Sequence, residues 1–267
     1  MWIDELFGVK KPIIALLHLR ALPGDPLYEG DMGSVIAQAR KDLIALRDGG
    51  VDGVLIANEF SMPYPTHAEY VTIGAMGFIV GQLRGDIKIP FGVNVVLNAL
   101  ASLELAAATG ADFIRSAFTG AYMGEQGLFN TDAAAIVRRK QALKLDRLKL
   151  LYKVNPESDV YLVPRDIKAI AKSIIFSCAP DGLCVSGAGA GNETSSDNLA
   201  EVKEVAGSIP VFCNTGFSAE TAREKFAVCD AACVGTAFKE DGKFANNVDP
   251  KRIAEIMNVV KEIRRAL

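Results

Sequence analysis

Short apolar segments alternate with helical patterns along the whole chain. Each segment is six to eight residues long, is rich in Val, Ile and Leu, and gives way to polar residues or glycine. The eight segments span residues 12–19, 51–58, 90–96, 112–117, 148–155, 182–187, 210–216 and 231–236. Continuous apolar runs of this length predict strands that are buried on both faces, and helices between them impose parallel pairing.

Helical periodicity fills the intervals between these segments. The first long helix can be capped by either Asp31 or Ser34 and ends at the glycine pair 49–50. The last helix has Asp249 as its cap and Pro250 in its first turn. The remaining long helices are expected near residues 68–85, 99–109, 131–146, 165–176, 196–206 and 218–228.

The number of repeats favours one fold class. Eight units in 267 residues are about 33 residues each, close to the roughly 250 residues of a (β/α)8 TIM barrel. The competing fold is an open, doubly wound sheet, but no G-x-G-x-x-G follows the first strand and the alternation is strict. The sequence therefore predicts a single-domain α/β barrel over residues 1–267. Residues 1–11 form an N-terminal cap segment, in which Trp2–Phe7 is expected to close the N-terminal mouth.

Composition narrows the function classes. The chain has 29 Lys and Arg against 32 Asp and Glu, a net charge of −3, which provides no basic surface for nucleic acid or for anionic membranes. No apolar run approaches the roughly 18 residues of a transmembrane helix, and the first residues lack the order of a signal peptide. Five cysteines without a C-x-x-C pair are typical of buried thiols in a reducing compartment. We therefore expect a cytoplasmic protein.

Polar residues stand at the ends of the predicted strands. In a barrel the last inward-facing residue of each strand meets the C-terminal mouth, where barrel enzymes have their active sites. Buried charges there are costly unless they are paired or meet a ligand. The residues in question are His18, Asn58, Glu59, Asn94, Arg115, Lys153, Asn155, Ser186 and Asn214. Together they predict a polar, solvent-accessible pocket at the C-terminal mouth.

Three of these residues are candidates for catalysis. Glu59 is the best candidate for a general base, and structural ion pairing is the alternative role. His18 is either an acid–base group or a hydrogen-bonded structural histidine. Lys153 can act as a Schiff-base or general-acid lysine, or can simply reach solvent from the rim.

The other polar residues are candidates for substrate binding. The guanidinium of Arg115 matches a phosphate or carboxylate, although Arg115 can also pair with Glu59. The amides can orient a polar ligand or satisfy neighbouring backbone groups. The substrate-binding set is Asn58, Asn94, Arg115, Asn155, Ser186 and Asn214.

Three glycine-containing loops follow the last three strands. Glycine lets backbone N–H groups approach an anion, and barrels often bind phosphate with the loops after their seventh and eighth strands. A mobile lid is the alternative interpretation of any one loop. A Walker-type nucleotide site is disfavoured because its glycine–lysine pattern is absent. The predicted phosphate-binding residues are Gly187, Gly189, Gly191, Asn192, Thr215, Gly216, Gly235 and Thr236.

Metal and acyl chemistry have little support in the sequence. The chain contains no H-x-H, no H-E-x-x-H and no paired cysteines, so no zinc site is predicted. Mg²⁺ needs few protein ligands, and Glu59, Asp25 or Asp241 could hold it together with phosphate oxygens. No cofactor is therefore assigned, and Mg²⁺ stays open. No G-x-S-x-G pattern indicates a serine nucleophile.

The segments at the strand ends resemble those of the BtpA/SgcQ family. In the first half of the chain they are His18-Leu19-Arg20-Ala21-Leu22-Pro23-Gly24-Asp25-Pro26, Asn58-Glu59-Phe60-Ser61 with Pro63-Tyr64, Pro90-Phe91-Gly92-Val93-Asn94-Val95, and Phe113-Ile114-Arg115 with Phe118-Thr119-Gly120-Ala121-Tyr122. In the second half they are Arg165-Asp166-Ile167 with Ala171-Lys172-Ser173, Leu183-Cys184-Val185-Ser186-Gly187, Asn214-Thr215-Gly216, and Phe238-Lys239 with Asp241-Gly242 and Phe244-Ala245-Asn246.

The resemblance extends from about residue 2 to the C-terminus. It implies a TIM barrel of the ribulose-phosphate-binding type. It also implies a role either in photosystem I biogenesis, as for photosynthetic members, or in sugar metabolism. The family assigns no catalytic residue to this chain, and Lys153 is not part of its pattern, which weakens the case for lysine catalysis.

Three hypotheses about function follow. The first is an enzyme of the isomerase, epimerase or aldolase type that acts on a phosphorylated small molecule such as a sugar phosphate or a nucleotide-like metabolite. The second is a non-catalytic assembly factor for a membrane complex of the photosystem I type. The third is a barrel that senses a metabolite without chemistry. The apolar helix near residues 68–85 is expected to lie in a homo-oligomer interface.

Overall fold

Eight parallel strands close into a barrel in the computed structural model, which describes residues 1–189 and 191–267. In chain order, the strands of the barrel and of a separate small sheet are β1 (Ile13–His18), β2 (Gly53–Ala57), β3 (Phe91–Asn94), β4 (Phe113–Ser116), β5 (Ala121–Gly124), β6 (Gly127–Asn130), β7 (Lys149–Lys153), β8 (Val160–Tyr161), β9 (Gly182–Val185), β10 (Val211–Cys213) and β11 (Ala231–Val234). Strands β5, β6 and β8 belong to the small sheet. Around the barrel the strand order is β1-β11-β10-β9-β7-β4-β3-β2. The predicted TIM barrel is confirmed, and each of its eight strands lies within a predicted segment.

The helices in chain order are α1 (Trp2–Phe7), α2 (Met32–Asp48), α3 (Tyr70–Leu83), α4 (Ala99–Thr109), α5 (Ala133–Ala142), α6 (Ile167–Cys178), α7 (Ser196–Ala206), α8 (Ala222–Val228) and α9 (Pro250–Arg265). Helices α2 to α9 surround the barrel and cover its outer face. Residues of alternate phase along each strand face this layer, as Ala15 and Leu17 of β1 do with no exposed surface. Burial on both faces explains why the strands are apolar without interruption.

Side-chain caps fix where several of these helices begin. Asp31 accepts a hydrogen bond from the backbone N–H of Gly33, so it caps α2 in preference to Ser34. Asp249 caps α9 in the same way, with Pro250 in the first turn as expected. Such caps satisfy N–H groups that have no partner inside the helix. Helix α5 is shorter than predicted because its chain turns at Leu143 and Lys144.

Helix α1 packs into the N-terminal mouth of the barrel. Its Ile3 and Phe7 are buried among inward-facing strand residues. The rings of Phe7 and Phe113 meet edge to face with centroids 6.0 Å apart. Apolar side chains therefore fill the interior of the barrel at this end.

A small antiparallel sheet was not predicted. Its strand order is β6-β5-β8, and it stands over the C-terminal mouth, where Gln126, Phe129 and Asp159 contribute to the cavity described below. Met123 and Leu128 on this sheet are exposed. Because apolar residues occupy exposed positions here, apolar and polar residues do not alternate clearly along these strands. The hydrophobic pattern of the sequence therefore did not predict them.

In the described residues, 1–189 and 191–267, we find no helix that combines the length and the apolar character required to span a bilayer.

Candidate functional site

A cavity of about 420 Å³ opens at the C-terminal mouth of the barrel. Its walls are built from residues at the ends of the barrel strands and from the loops that follow them. Of the predicted catalytic and substrate-binding residues, it brings together His18, Glu59, Asn94, Arg115, Lys153 and Asn214. Strand alternation explains the gathering, because Ile14 packs inside the barrel and His18, four residues later, has the same phase.

A hydrogen-bonded cluster of polar side chains lies at the bottom of the cavity. Arg115 Nη1 donates to Asn214 Oδ1 at 2.7 Å, and Asn214 Nδ2 donates to Ser186 Oγ at 2.9 Å. The same amide nitrogen also donates to a carboxylate oxygen of Glu157. Asn214 therefore links a cation from β4 to an anion from the loop after the neighbouring strand β7. We call Arg115, Lys153, Glu157 and Asn214 the inner cluster.

Glu157 was not predicted, although it belongs to the centre of the inner cluster. It lies in the loop after β7 and forms an ion pair with Lys153, and its side chain is only 14% exposed. Burial alone would raise the pKa of Glu157, but the charges of Lys153 and Arg115 lower it to about 2. The carboxylate is thus ionised at neutral pH. Glu157 lies four residues beyond the end of β7, where strand alternation no longer predicts which way a side chain points, so no signal in the sequence indicated it.

His18 faces the cavity in its neutral form. Burial, reinforced by the charges of Lys239 and Arg115, holds the pKa of His18 well below its ordinary value. Within the described part of the chain, neither ring nitrogen of His18 has a hydrogen-bond partner, although the side chain is buried. A buried imidazole without partners is costly. A ligand in the cavity can supply the missing donor or acceptor.

Behind His18 lies an aromatic wall that encloses a lysine. Phe244 lies against His18 with ring centroids 5.2 Å apart, and Lys239 Nζ sits 4.8 Å from the Phe244 centroid and 4.9 Å from that of Phe60. Burial, and then the charge of Arg20, lower the pKa of Lys239 to about 8. The contact between Lys239 and the ring of Phe244 holds Phe244 in the cavity wall.

Glu59 reaches the cavity from the loop after β2. The hydroxyl of Tyr64 donates to the backbone carbonyl of Glu59 at 2.9 Å and to its carboxylate at 3.3 Å. Burial raises the pKa of Tyr64, and the charge of Glu59 raises it further, so Tyr64 remains a donor. The carboxylate of Glu59 is oriented by this contact and leaves lone pairs for a ligand.

Part of the predicted phosphate cradle also lines this cavity, and it adjoins His18, because a Cβ at Gly235 would lie 3.0 Å from His18 Nε2. Five of its predicted residues line the cavity, namely Gly191, Thr215, Gly216, Gly235 and Thr236. Gly216 has a φ of +68°, and a Cβ there would lie 2.2 Å from Glu193 Cα, so only glycine fits this turn. Arg252 on the first turn of α9 also lines the cavity and was not predicted. We call this set with Arg252 the glycine end.

Other predicted residues have structural roles outside this cavity. Asn58 accepts a hydrogen bond from the backbone of Val96 at 2.8 Å. Asn155 joins β7 to β9 through two hydrogen bonds with the backbone of Ser186. Gly187, Gly189 and Asn192 lie outside the cavity wall, and the N–H of Gly187 is already bound to Thr215 Oγ1 at 2.7 Å. Residue 190 of this loop lies outside the described residues.

The three carboxylates considered for Mg²⁺ do not come together. Asp25 Oδ2 accepts hydrogen bonds from Leu22 N and Ser61 Oγ, both at 2.6 Å, and so stabilises its own loop. Asp241 is exposed and pairs with Lys243. Across residues 1–189 and 191–267, no group of three or more His, Cys, Asp or Glu side chains is placed to hold a metal ion. Glu59 alone of the three lines the cavity.

Comparison with known proteins gives the relatives of this chain. It is 46% identical to the putative sgc region protein SgcQ of Escherichia coli, over 99% of both chains. It is 28% identical to the photosystem I biogenesis protein BtpA of Synechocystis, over 97% of this chain and 91% of that protein. Among solved structures, the N-acetylmannosamine-6-phosphate 2-epimerase of Clostridium perfringens matches with a TM-score of 0.56 at 12% identity, over 98% of this chain and 96% of that one.

The epimerase supports the fold alone, because the identity is low. The sequence relatives support more, since they match over nearly the whole length. The model of the BtpA family matches residues 9–262, which include all eight barrel strands. The resemblance seen at the strand ends is therefore confirmed, and the chain belongs to the BtpA family.

Proposed function

We propose that this chain binds a phosphorylated small molecule at the C-terminal mouth of the barrel and acts on it by proton transfer. The phosphate is placed at the glycine end, beside Gly216, Thr236 and Arg252. The body of the molecule extends toward Glu59, His18 and the inner cluster. The chemistry belongs to the isomerase, epimerase or aldolase type.

The observation that carries this proposal is that one cavity combines the glycine end with a second, chemically different group of residues. Its volume of about 420 Å³ is within the range of small-molecule sites. The glycine end offers close backbone approach at Gly216 and the guanidinium of Arg252, a combination suited to an anion. The second group offers a carboxylate and a neutral imidazole, a combination suited to moving protons.

In this proposal Glu59 and His18 divide the proton transfers between them. Glu59 takes a proton from a carbon or hydroxyl of the substrate, with its carboxylate oriented by Tyr64. Neutral His18 donates to the oxygen on which charge develops, because an imidazole without partners is free to do so. Lys153 is assigned a supporting role, since its ammonium is already paired with Glu157.

A thermal-shift comparison of matched ligand pairs tests the binding proposal. We expect glucose 6-phosphate, ribose 5-phosphate or inorganic phosphate to raise the melting temperature, whereas the unphosphorylated sugars leave it unchanged. A ligand at a hundredfold excess over its dissociation constant adds about 2.7 kcal/mol to the free energy of unfolding. Arg252→Gln should abolish the shift, whereas Arg265→Gln, at the exposed far end of the same helix, should retain it.

Two outcomes would contradict the proposal. One is an absence of any shift with phosphate and with every phosphorylated ligand of the screen. The other is an equal shift in the wild type and in Arg252→Gln, which would place the phosphate elsewhere. The catalytic assignment fails separately if Glu59→Gln and His18→Ala convert a confirmed substrate at the wild-type rate.

We also propose that the chain forms a homo-oligomer through α3 and works in the cytoplasm. Tyr70 and Phe78 of α3 are 95% and 53% exposed, although α3 packs against α2 and α4 on its other sides. All five cysteines are free thiols, which suits a reducing compartment. Light scattering should give a multiple of the chain mass of 28.5 kDa, and Tyr70→Glu combined with Phe78→Glu should reduce it to one chain.

A second candidate function is assembly of a membrane complex, because one relative is named a photosystem I biogenesis protein. The same exposed face of α3 would then bind the partner. Chemical cross-linking in cells that recovers only copies of this chain would argue against this candidate.

A further inference from the structure

The inner cluster already contains a carboxylate of the chain beside its two cations. Lys153 and Arg115 provide two positive charges at the bottom of the cavity. Glu157 forms an ion pair with Lys153 and is joined to Arg115 through the amide of Asn214. Glu59 supplies a second carboxylate to the lining of the cavity. An anionic group of a ligand would therefore have to compete with Glu157 for Lys153 and Asn214.

The remaining polar atoms at this end need neutral partners. Both ring nitrogens of His18 and the Nε atom of Arg115 are buried without a hydrogen bond, among the residues that the structure describes. The same holds for Gln126 Oε1 and Asp159 Oδ1 on the facing wall. Burial raises the pKa of Asp159, and the charge of Lys153 opposes this shift. This mixture of donors and acceptors suits hydroxyl groups, since each hydroxyl both donates and accepts.

We propose that Glu157 determines specificity by excluding a second anionic group from the inner end of the cavity. The ligand is then a monophosphate with an uncharged, hydroxyl-bearing body. This inference rests on the proposed function, because it presumes that one phosphate occupies the glycine end. A bisphosphate or a phosphorylated acid would have to displace Glu157 from Lys153 and Asn214.

Counting bound phosphate tests the inference without knowledge of the natural substrate. Equilibrium dialysis with radiolabelled inorganic phosphate should find one phosphate per wild-type chain. Glu157→Gln keeps the shape of the side chain and removes its charge, so Lys153 and Arg115 should then bind a second phosphate. The affinity for this second phosphate should rise at least about tenfold over the wild type, as expected for one charge removed from a partly buried site.

Matched variants locate the second phosphate. Glu125→Gln removes an exposed carboxylate from the neighbouring small sheet and should still bind one phosphate. Glu157→Gln combined with Lys153→Met should return to one, because the cation that holds the second phosphate is gone. Melting temperatures and circular dichroism verify that each variant is folded. The wild-type count is informative even if Glu157→Gln does not fold.

The outcomes separate this inference from the proposed function. A wild-type chain that binds two phosphates retains the proposed function and overturns the role of Glu157. One phosphate in both the wild type and a folded Glu157→Gln variant overturns it as well. A wild-type chain that binds no phosphate contradicts the proposed function, and the inference falls with it.

Discussion

Replacing Gly216 by alanine should destabilise the protein far more than the same change at a glycine of equal backbone conformation. Gly216 ends the β10 segment with a φ of +68° and lies against the backbone of the neighbouring loop. A Cβ at this position would lie 2.2 Å from Glu193 Cα and 2.6 Å from Asn192 O. Both neighbours are backbone atoms, so no side-chain rotation relieves the overlap.

Gly110 provides the matched control. It ends α4 with a φ of +70°, and no atom of the described residues lies within 4 Å of the position that a Cβ would take there. Gly110→Ala therefore has only the conformational cost of a left-handed alanine, about 1–2 kcal/mol. Gly216→Ala adds the cost of overpacking, about 1–3 kcal/mol. We expect a total of about 2–5 kcal/mol for Gly216→Ala.

Urea denaturation at equilibrium measures the free energy of unfolding of both variants. Gly216→Ala should also lose phosphate binding, because the loops at the glycine end must separate to accept the methyl group. Gly110→Ala should bind as the wild type does. If the two variants were equally stable, the close packing of the loops after β9 and β10 would be refuted.

Three further predictions concern burial and charge. Phe7→Ala should cost about 3–5 kcal/mol of stability because it empties the plug of the barrel, whereas Glu5→Ala on the exposed side of α1 should cost almost nothing in the same urea titration. Asp52→Asn should lower the melting temperature through a loss on the order of 3 kcal/mol, because it leaves the largely buried guanidinium of Arg264 without its carboxylate; an unchanged melting temperature would contradict this pairing. His18 should stay neutral in an NMR titration of the folded protein. Because the unfolded chain protonates this histidine near pH 6.5 and the folded chain does not, the free energy of unfolding should fall as the pH drops below about 6.5. His18→Gln should lose this part of the pH dependence, and an equal dependence in the variant would contradict the assignment.

The barrel could be predicted because its strands carry an unusually direct signal. Strands buried on both faces are apolar without interruption, and helices with Asp caps such as Asp31 and Asp166 separate them. The small sheet lacks this signal. Its strands are two to four residues long, and Met123 and Leu128 expose apolar side chains, so neither length nor alternation marked them.

The candidate site was predictable where strand phase decides which way a side chain points. His18, Asn94, Arg115 and Asn214 end their strands facing inward, and they meet in the cavity. Beyond the end of a strand, the alternation of side chains no longer predicts which way a residue points. Glu157 is placed by a loop, which is why its position had to come from the three-dimensional structure.

Strand alternation also failed to predict the positions of Arg252 and of Asn58. Arg252 reaches the cavity from the first turn of α9, well beyond the end of β11 at Val234, so its proximity depends on tertiary packing. Asn58 stands beside Glu59 in sequence but has the opposite phase, and its amide binds the backbone of Val96. The fact that both residues are polar could not show which of them lines the cavity.

A crystal structure of the chain grown or soaked in inorganic phosphate tests the central claim most directly. We predict one phosphate in the C-terminal mouth, in contact with Gly216, Thr236 and the guanidinium of Arg252, with Glu157 still bound to Lys153. A phosphate bound instead at Arg115 and Lys153, or only on the outer surface of the barrel, would contradict the account.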